Sequence, residues 1–179
     1  MVEVVLRAVR VDVGSSTPLL LLEEVGGDRV LPIFVGAPEA TAIAYALQNV
    51  PTPRPMSHDL LGNVIAALGA QLFAVEITEL IDNTYYANLR LLRERTEINV
   101  SARPSDAVAL ALRVGSPILV RDQLMNEQGK VMHLDEADES DEIDVQNDVE
   151  TNDPAPNEAE LVAELRDFLE TIRPEDFNQ

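Results

Sequence analysis

The 179-residue chain contains no cysteine and no tryptophan, and aromatic residues make up only 4% of it. Without cysteine there is no disulfide, no thiolate metal ligand and no cysteine nucleophile. Long apolar runs are absent too, since the densest stretch, PLLLLEEV at 18–25, has the length of a strand and not of a membrane span. The first residues show no basic and apolar signal pattern. These absences predict a soluble, cytoplasmic protein without a membrane segment.

Positive charge is scarce and unevenly distributed. Thirteen basic residues, all arginine except Lys130, stand against 32 acidic residues, and the formal net charge is −19. Residues 1–121 hold 13 acids and 10 arginines, a net charge of −3, whereas residues 122–179 hold 19 acids and 3 bases, a net charge of −16. Such a chain repels polyanions at long range. Binding of nucleic acid would therefore need a local arginine cluster or a metal ion.

The first 121 residues repeat one order of secondary structure. Alternating and β-branched segments predict three strands followed by a helix, and the same order returns after residue 70. The two helix starts are alike, with EATAIA from Glu39 and DAVALA from Asp106. The pattern predicts an α+β domain built from a duplicated β-β-β-α unit with a mixed, mainly antiparallel sheet. Chance similarity between two alanine-rich helices is the alternative explanation.

A proline-rich connection separates the two units. Prolines at 51, 53 and 55 exclude a helix or strand interior. The segment that follows predicts one inserted helix with Ser57 as its N-cap. Its apolar residues recur at helical spacing, which predicts a buried face made of Leu61, Val64, Ile65 and Leu68.

The last third of the chain changes character. Residues 122–157 are acidic and poor in apolar side chains, which predicts a disordered linker. Residues 158–173 regain a helical period and predict an amphipathic C-terminal helix, too short to be stable alone and so docked on the core or on a neighbouring subunit. The four consecutive leucines at 19–22 also need cover on both faces of their strand. From these features we predict a homodimer.

Candidate chemistry lies at two helix starts. His58 and Asp59 open the inserted helix, and Arg103 and Asp106 lie at the start of the later one. Histidine can act as a general acid or base, and carboxylates can hold a divalent cation during phosphodiester hydrolysis. The structural explanation is that the acids complement a helix dipole and that arginine and aspartate form a simple ion pair. The residues alone leave both explanations open.

Other residues extend these two candidates. Arg54, held between prolines, could reach a phosphate at either place, and Glu39 occupies in the first unit the position that Asp106 has in the second. Tyr85 and Tyr86 are neighbours in a predicted strand and point to opposite faces. At most one of the pair could therefore stack on a base.

Three blocks carry a resemblance to a known family: LPIFVGAPEATAIAYAL at 31–47, RPMSHDLL at 54–61, and ARPSDAVALALR at 102–113 followed by SPILV. In order and spacing they resemble the signature blocks of the bifunctional nuclease domain family, over roughly residues 1–121. The resemblance implies a nuclease that hydrolyses RNA and DNA, with Mg²⁺ or another divalent cation as the expected cofactor. It raises His58, Asp59 and Asp106 as catalytic candidates and Arg54 and Arg103 as phosphate-binding candidates, without assigning metal ligands.

The chain also departs from the family pattern. Ser101 stands where the family often has aspartate, two residues before the Arg-Pro-Ser-Asp block, and the acidic last third lies outside the resemblance. Both the missing acid and the repulsive net charge favour a different function. In that alternative the protein is a non-catalytic regulatory or scaffold protein that binds a protein partner through its sheet faces and acidic tail.

Overall fold

An eight-stranded sheet organises the part of the chain that the computed structural model describes, residues 1–12 and 14–131. The strands are β1 (Val2–Asp12), β2 (Thr17–Glu24), β3 (Arg29–Phe34), β4 (Ala70–Ile81), β5 (Thr84–Arg93), β6 (Thr96–Ala102), β7 (Ile118–Val120) and β8 (Lys130–Val131). Their order across the sheet is β6-β5-β4-β7-β1-β2-β3-β8. All neighbouring pairs are antiparallel except β4 and β7, which run parallel.

Four helices accompany the sheet: α1 (Ala37–Leu47), α2 (Ser57–Ala67), α3 (Pro104–Val114) and α4 (Asp122–Gln128). Proline lies in the first turn of α1 and of α3, where its missing N–H costs no intrahelical bond. The prediction of an α+β fold with a mixed, mainly antiparallel sheet is confirmed.

Two meanders of the same strand order make up most of the sheet. The first runs β1-β2-β3 into α1 and the second runs β4-β5-β6 into α3, and each runs outward from β7. The β4–β5 hairpin turns through Asp82 and Asn83, both with positive φ, as a two-residue turn requires. The shared order agrees with a duplicated unit, but superposition of the two halves stays a prediction.

The main core lies between the sheet and the helices. Alanines on α1 and α3 are buried and let the two helices approach closely, while Leu20 and Leu22 of β2 fill the core from the sheet. Leu21 points to the other face, where it packs with Ala8 and Val30 in a second, smaller cluster. The leucine run is therefore buried on both faces of its strand.

Helix α2 differs from the prediction made for it. The predicted buried face is wrong, because Leu61, Val64 and Leu68 are exposed and only Ile65 packs partly against the core. The N-cap is Met56 and not Ser57, since the Asp59 carboxylate reaches back and accepts a hydrogen bond from the Met56 N–H at 2.8 Å. Helical spacing predicted that these residues share a face, but not what covers it.

The domain boundary drawn at residue 121 is too early. Helix α4 begins at Asp122 and buries Leu124 and Met125 in the main core, and β8 then pairs with β3. The acidic residues around this apolar pair hid it in the sequence. The rest of the predicted linker, from 132 to 157, and the predicted helix at 158–173 lie outside the described residues. Within the described residues, no helix has the length and apolar content needed to cross a membrane.

Candidate functional site

A continuous series of polar contacts joins four side chains at the starts of three helices. His58 Nε2 lies 3.1 Å from Asp106 Oδ1. The Arg103 guanidinium donates from Nε to Asp106 Oδ2 at 2.7 Å and from Nη2 to Oδ1 at 3.1 Å. Its Nη1 lies 2.8 Å from Glu39 Oε1. Two candidates from separate sequence blocks, His58 and Asp106, are thus in direct contact.

Local sequence explains how α1 and α3 present these groups. Glu39 and Asp106 each occupy the first turn of their helix, and Arg103 is the N-cap residue of α3. A Cβ at Gly36, the N-cap of α1, would collide with the Glu39 carboxylate. Glycine at 36 therefore lets Glu39 fold back over the helix start, where it meets Arg103.

Electrostatics fixes the ionisation of Asp106. The hydrogen bonds from Arg103, and then the one with His58, hold the pKa of the Asp106 carboxyl below its usual range, although partial burial works against this. The bonds with Asp106, and then the one with Glu39, raise the pKa of Arg103 above its ordinary value. Asp106 is therefore a carboxylate at neutral pH, and its bond to Nε2 orients the His58 ring. Aspartate has the same orienting role in catalytic histidine–aspartate pairs, where it bonds Nδ1.

Asp59 belongs to a different set of contacts. Its Oδ1 accepts a hydrogen bond from Arg113 Nε at 2.7 Å, while its Oδ2 accepts the Met56 N–H. Arg113 Nη1 donates to the Ala109 carbonyl of its own helix and Nη2 to the Ala42 carbonyl of α1, both at 2.9 Å. The Arg113 side chain is only 9% exposed. One buried guanidinium thus ties α1, α2 and α3 together, and Asp59 is its counterion.

The candidate site residues do not all line the same groove. The larger, of about 620 Å³, is lined by Glu39 and Arg103 together with Phe34, Tyr85 and Lys130. The smaller, of about 460 Å³, is lined by Arg54, Asp59 and Arg113. The predicted residues therefore do not meet in one pocket. Arg103 faces the larger groove, Arg54 and Asp59 face the smaller one, and His58 and Asp106 link the two sets.

The arrangement of the acidic side chains does not favour a metal site. Among the residues described, no group of three or more histidine, aspartate or glutamate side chains is placed to hold a metal ion. Glu39 and Asp106, the two acids of the series, both bind Arg103 through carboxylate oxygens. As arranged, these side chains therefore do not provide a set of ligands that fits a divalent cation.

Ser101 bears on the same question. Its neighbour Ala102 pairs with the buried core residue Ala87, whereas Ser101 pairs with Asn88. Since side chains alternate along a strand, Ser101 points to the face of the sheet away from the core and from α3. Aspartate at this position would thus add no oxygen to the contacts between Arg103, Asp106 and His58.

Sequence reasoning missed several residues that the structure brings forward. Arg113 looked like one more arginine of the last helical turn, and only the packing of three helices shows its role. Phe34 and Lys130 lie far apart in the sequence and share the larger groove. Of these residues, the sequence indicated only Tyr85, because Tyr85 and Tyr86 are neighbours in a predicted strand and point to its opposite faces.

Similarity to known proteins agrees with the blocks around these residues. The family model described as the bifunctional nuclease domain matches residues 20–133, well over half of the chain. The chain belongs to the bifunctional nuclease domain family. The matched range includes α4 and β8, which supports a domain that extends past residue 121.

Relatives of this bifunctional nuclease domain protein fall into two groups. An uncharacterized protein of Mycobacterium tuberculosis is 42% identical over 175 residues, which is 98% of this chain and 97% of that protein. Bifunctional nuclease 1 of Oryza sativa subsp. indica is 31% identical over 114 residues, 62% of this chain and 34% of that protein. Bifunctional nuclease 1 of Arabidopsis thaliana is 26% identical over 121 residues, 66% of this chain and 37% of that protein. The similarity to the plant proteins thus spans only about a third of their length.

Proposed function

We propose that this protein is a nuclease that hydrolyses phosphodiester bonds of RNA and DNA. The observation that carries the proposal is the series of contacts from Glu39 through Arg103 and Asp106 to His58. It supplies the two things that phosphodiester cleavage asks of a protein, a cation for the phosphoryl oxygens and a group that can carry a proton. Membership of the nuclease family and the names of the plant relatives support the same activity.

In this proposal Arg103 binds the phosphate. Its side chain is 64% exposed and lines the larger groove. The bonds to Glu39 and Asp106 use three of the five guanidinium N–H groups, so two donors remain for phosphate oxygens. Planar, paired donors of this kind suit phosphate recognition. Arg54, exposed on the connection before α2, would contact the nucleic acid strand further along, at the smaller groove.

His58 is the proton carrier of the proposal. Its side chain is 15% exposed, so it is partly shielded but still accessible. The bond between Asp106 and Nε2 gives the ring a fixed orientation and places an ionised carboxylate beside it. Asp106 acts through His58 and Arg103 and is a positioning residue. We assign Asp59 to positioning as well, because both of its oxygens are occupied by Arg113 and the backbone of Met56.

The test compares His58→Gln with the parent protein. Glutamine can still donate a hydrogen bond to Asp106 but cannot carry a proton, so the fold should remain intact within about 1 kcal/mol. Loss of general acid–base help should lower the cleavage rate of RNA and of DNA by roughly 10²–10⁴-fold. Both proteins are purified identically, and melting and nuclease rate are measured together. Unchanged cleavage by folded His58→Gln would remove His58 from the chemistry.

Dependence on Mg²⁺ or another divalent cation is a separate expectation. The parent is assayed after treatment with a chelator and again after Mg²⁺ or Mn²⁺ is restored. Loss of activity that the cation reverses would mean that the acids near Arg103 rearrange, or that the nucleic acid itself brings the ion. Full activity in chelator would leave proton transfer by His58 as the main contribution.

A protein-binding role is the alternative, and α2 favours it. Leu60, Leu61, Val64 and Leu68 lie exposed on this helix, which is unusual for so many large apolar side chains on one short element. Such a face suits a partner protein or a second copy, as in the predicted homodimer. Light scattering of the parent and of a Leu60→Asp, Val64→Asp variant would test self-association. This alternative expects no nuclease activity in the purified parent. For either role we propose a cytoplasmic location.

A further inference from the structure

We propose that the larger groove binds an unpaired nucleotide, so that single-stranded nucleic acid is the substrate class of this site. The base would lie against Phe34 and Tyr85, and the phosphates on either side would meet Arg103 and Lys130. The inference rests on the proposed nuclease function and deepens it, because the same Arg103 serves both.

Two aromatic side chains reach the groove from separate parts of the sheet. Phe34 ends β3, and Tyr85 follows the turn between β4 and β5, which are several strands away in sheet order. Phe34 is 59% exposed, whereas its strand neighbour Ile33, on the opposite face, is buried in the core. An exposed aromatic ring at the wall of a groove is a surface on which a base can stack.

Tyr85 offers a ring and a polar tip together. It is half-buried and packs against the main core, so its orientation is fixed by the fold. Burial raises the pKa of its hydroxyl, so Tyr85 stays protonated at neutral pH. Its O–H can therefore donate a hydrogen bond to a phosphate or to a base edge.

The groove is less acidic than the protein as a whole. Among the described residues that line it, Arg103 and Lys130 are cationic, and Glu39 is the one acid. Arg103 pairs with Glu39 and also with Asp106, which does not itself line the groove. These four side chains have a net charge of zero, in a molecule whose total charge repels polyanions at long range. Binding would consequently be local and short-range.

Size and chemistry together select a single strand. A groove of about 620 Å³ falls within the range of roughly 300–1,000 Å³ that is usual for ligand sites. In a duplex the faces of the bases are covered by their neighbours, whereas in a single strand they are free to stack on protein rings. The remaining polar residues of the groove, Asn83, Thr84, Ser105 and Gln128, are uncharged and can adapt to either RNA or DNA.

The experiment measures binding of labelled single strands by fluorescence anisotropy, in the His58→Gln background so that cleavage does not interfere. Removal of one stacking ring typically weakens binding by 1–3 kcal/mol, so Phe34→Ala should raise the Kd for a single strand by roughly 5- to 150-fold. Phe34→Trp should restore binding. Tyr86→Ala is the matched control, because Tyr86 is 41% exposed and adjoins Tyr85 but does not line the groove. His58→Gln with Phe34 intact should also prefer a single strand to a duplex of the same sequence.

Three results would overturn the inference: equal affinity for duplex and single strand, equal losses from Phe34→Ala and Tyr86→Ala, or no loss from Phe34→Ala. Because Phe34 is exposed, its alanine variant should melt like the parent, so a loss of binding cannot be attributed to unfolding. Failure here is distinct from failure of the nuclease proposal. Cleavage that needs His58, with binding indifferent to Phe34, keeps the nuclease and rejects the groove. If binding depends on Phe34 but the parent does not cleave nucleic acid, the groove proposal is kept and the nuclease proposal is rejected.

Discussion

Arg113 is the residue on which the arrangement of the helices depends most. Its three bonds reach a carboxylate on α2 and carbonyl oxygens on α1 and α3, so one side chain fixes the distance between all three. His58 is next to Asp59 in sequence, and Asp106 lies two turns before Arg113 on α3. Arg113 therefore links the two helices that carry His58 and Asp106, and so supports their contact.

Replacing Arg113 should affect stability first. Arg113→Met would leave the partly buried Asp59 without its counterion and would remove the side-chain donor from two helix carbonyls, at a cost of about 3 kcal/mol. Arg95→Met, at an exposed turn residue, is the control and should change stability by no more than about 0.5 kcal/mol. Urea unfolding measures both. Equal midpoints for the two variants would show that Arg113 does not hold the helices together.

At the residue scale, the sequence allowed part of the site to be predicted. An ion pair between Arg103 and Asp106 was one of the two explanations that the sequence left open, and it is present together with the further bond to His58. That last contact joins residues 48 positions apart, and local patterns carry no information at that range. The same limit applies to Arg113, whose burial comes entirely from tertiary packing.

At the scale of elements, periodicity predicted the long strands and α1 and α3, while the short helix α4 escaped it. Helix α4 has seven residues, too few for a period to show. The position of β7 between β4 and β1 depends on pairing across the whole chain, which no local signal reveals. Helix α2 was located correctly, but its exposed apolar face was not foreseen, because spacing identifies a face without its neighbour.

Helix α4 should contribute to stability through Met125. This side chain is completely buried in the main core, so Met125→Ala should cost about 2–5 kcal/mol of unfolding free energy. Gln123→Ala, exposed on the same helix, is the matched control. Chemical denaturation of both variants distinguishes a structural α4 from the linker that the composition predicted. If the denaturation curve of Met125→Ala coincides with that of the parent, the predicted domain boundary at residue 121 stands.

At the scale of the whole molecule, charge is separated along the chain. Residues 122–179 carry −16, and the acids from 135 to 153, which lie outside the described residues, hold much of it. A tethered polyanion can compete with nucleic acid for Arg103 and Lys130, because tethering supplies an effective concentration in the millimolar range. The alternative is a linker that only improves solubility.

Neutralising the acids between Asp135 and Asp153 to asparagine and glutamine separates these two roles. If the segment competes, the variant should bind single strands more tightly than the parent at low salt. The difference should narrow at high salt, because charges are screened beyond about 8–10 Å at physiological ionic strength. Anisotropy over a salt series provides the measurement. Identical affinities at low salt would leave the acidic segment with the role of a solubilising linker.

The position of β7 has a consequence for how the protein is made. This three-residue strand joins the two meanders, pairing with β1 on one side and with β4 on the other. On the ribosome β1 emerges first, yet its inner neighbour is synthesised only after α3 is complete. Until then both meanders keep an open inner edge, and exposed edges are the places where strands of different chains pair. Contacts between such distant parts of a chain also form slowly. A nascent chain that stalls before residue 118 is therefore exposed to aggregation at the centre of its future sheet, rather than at its rim.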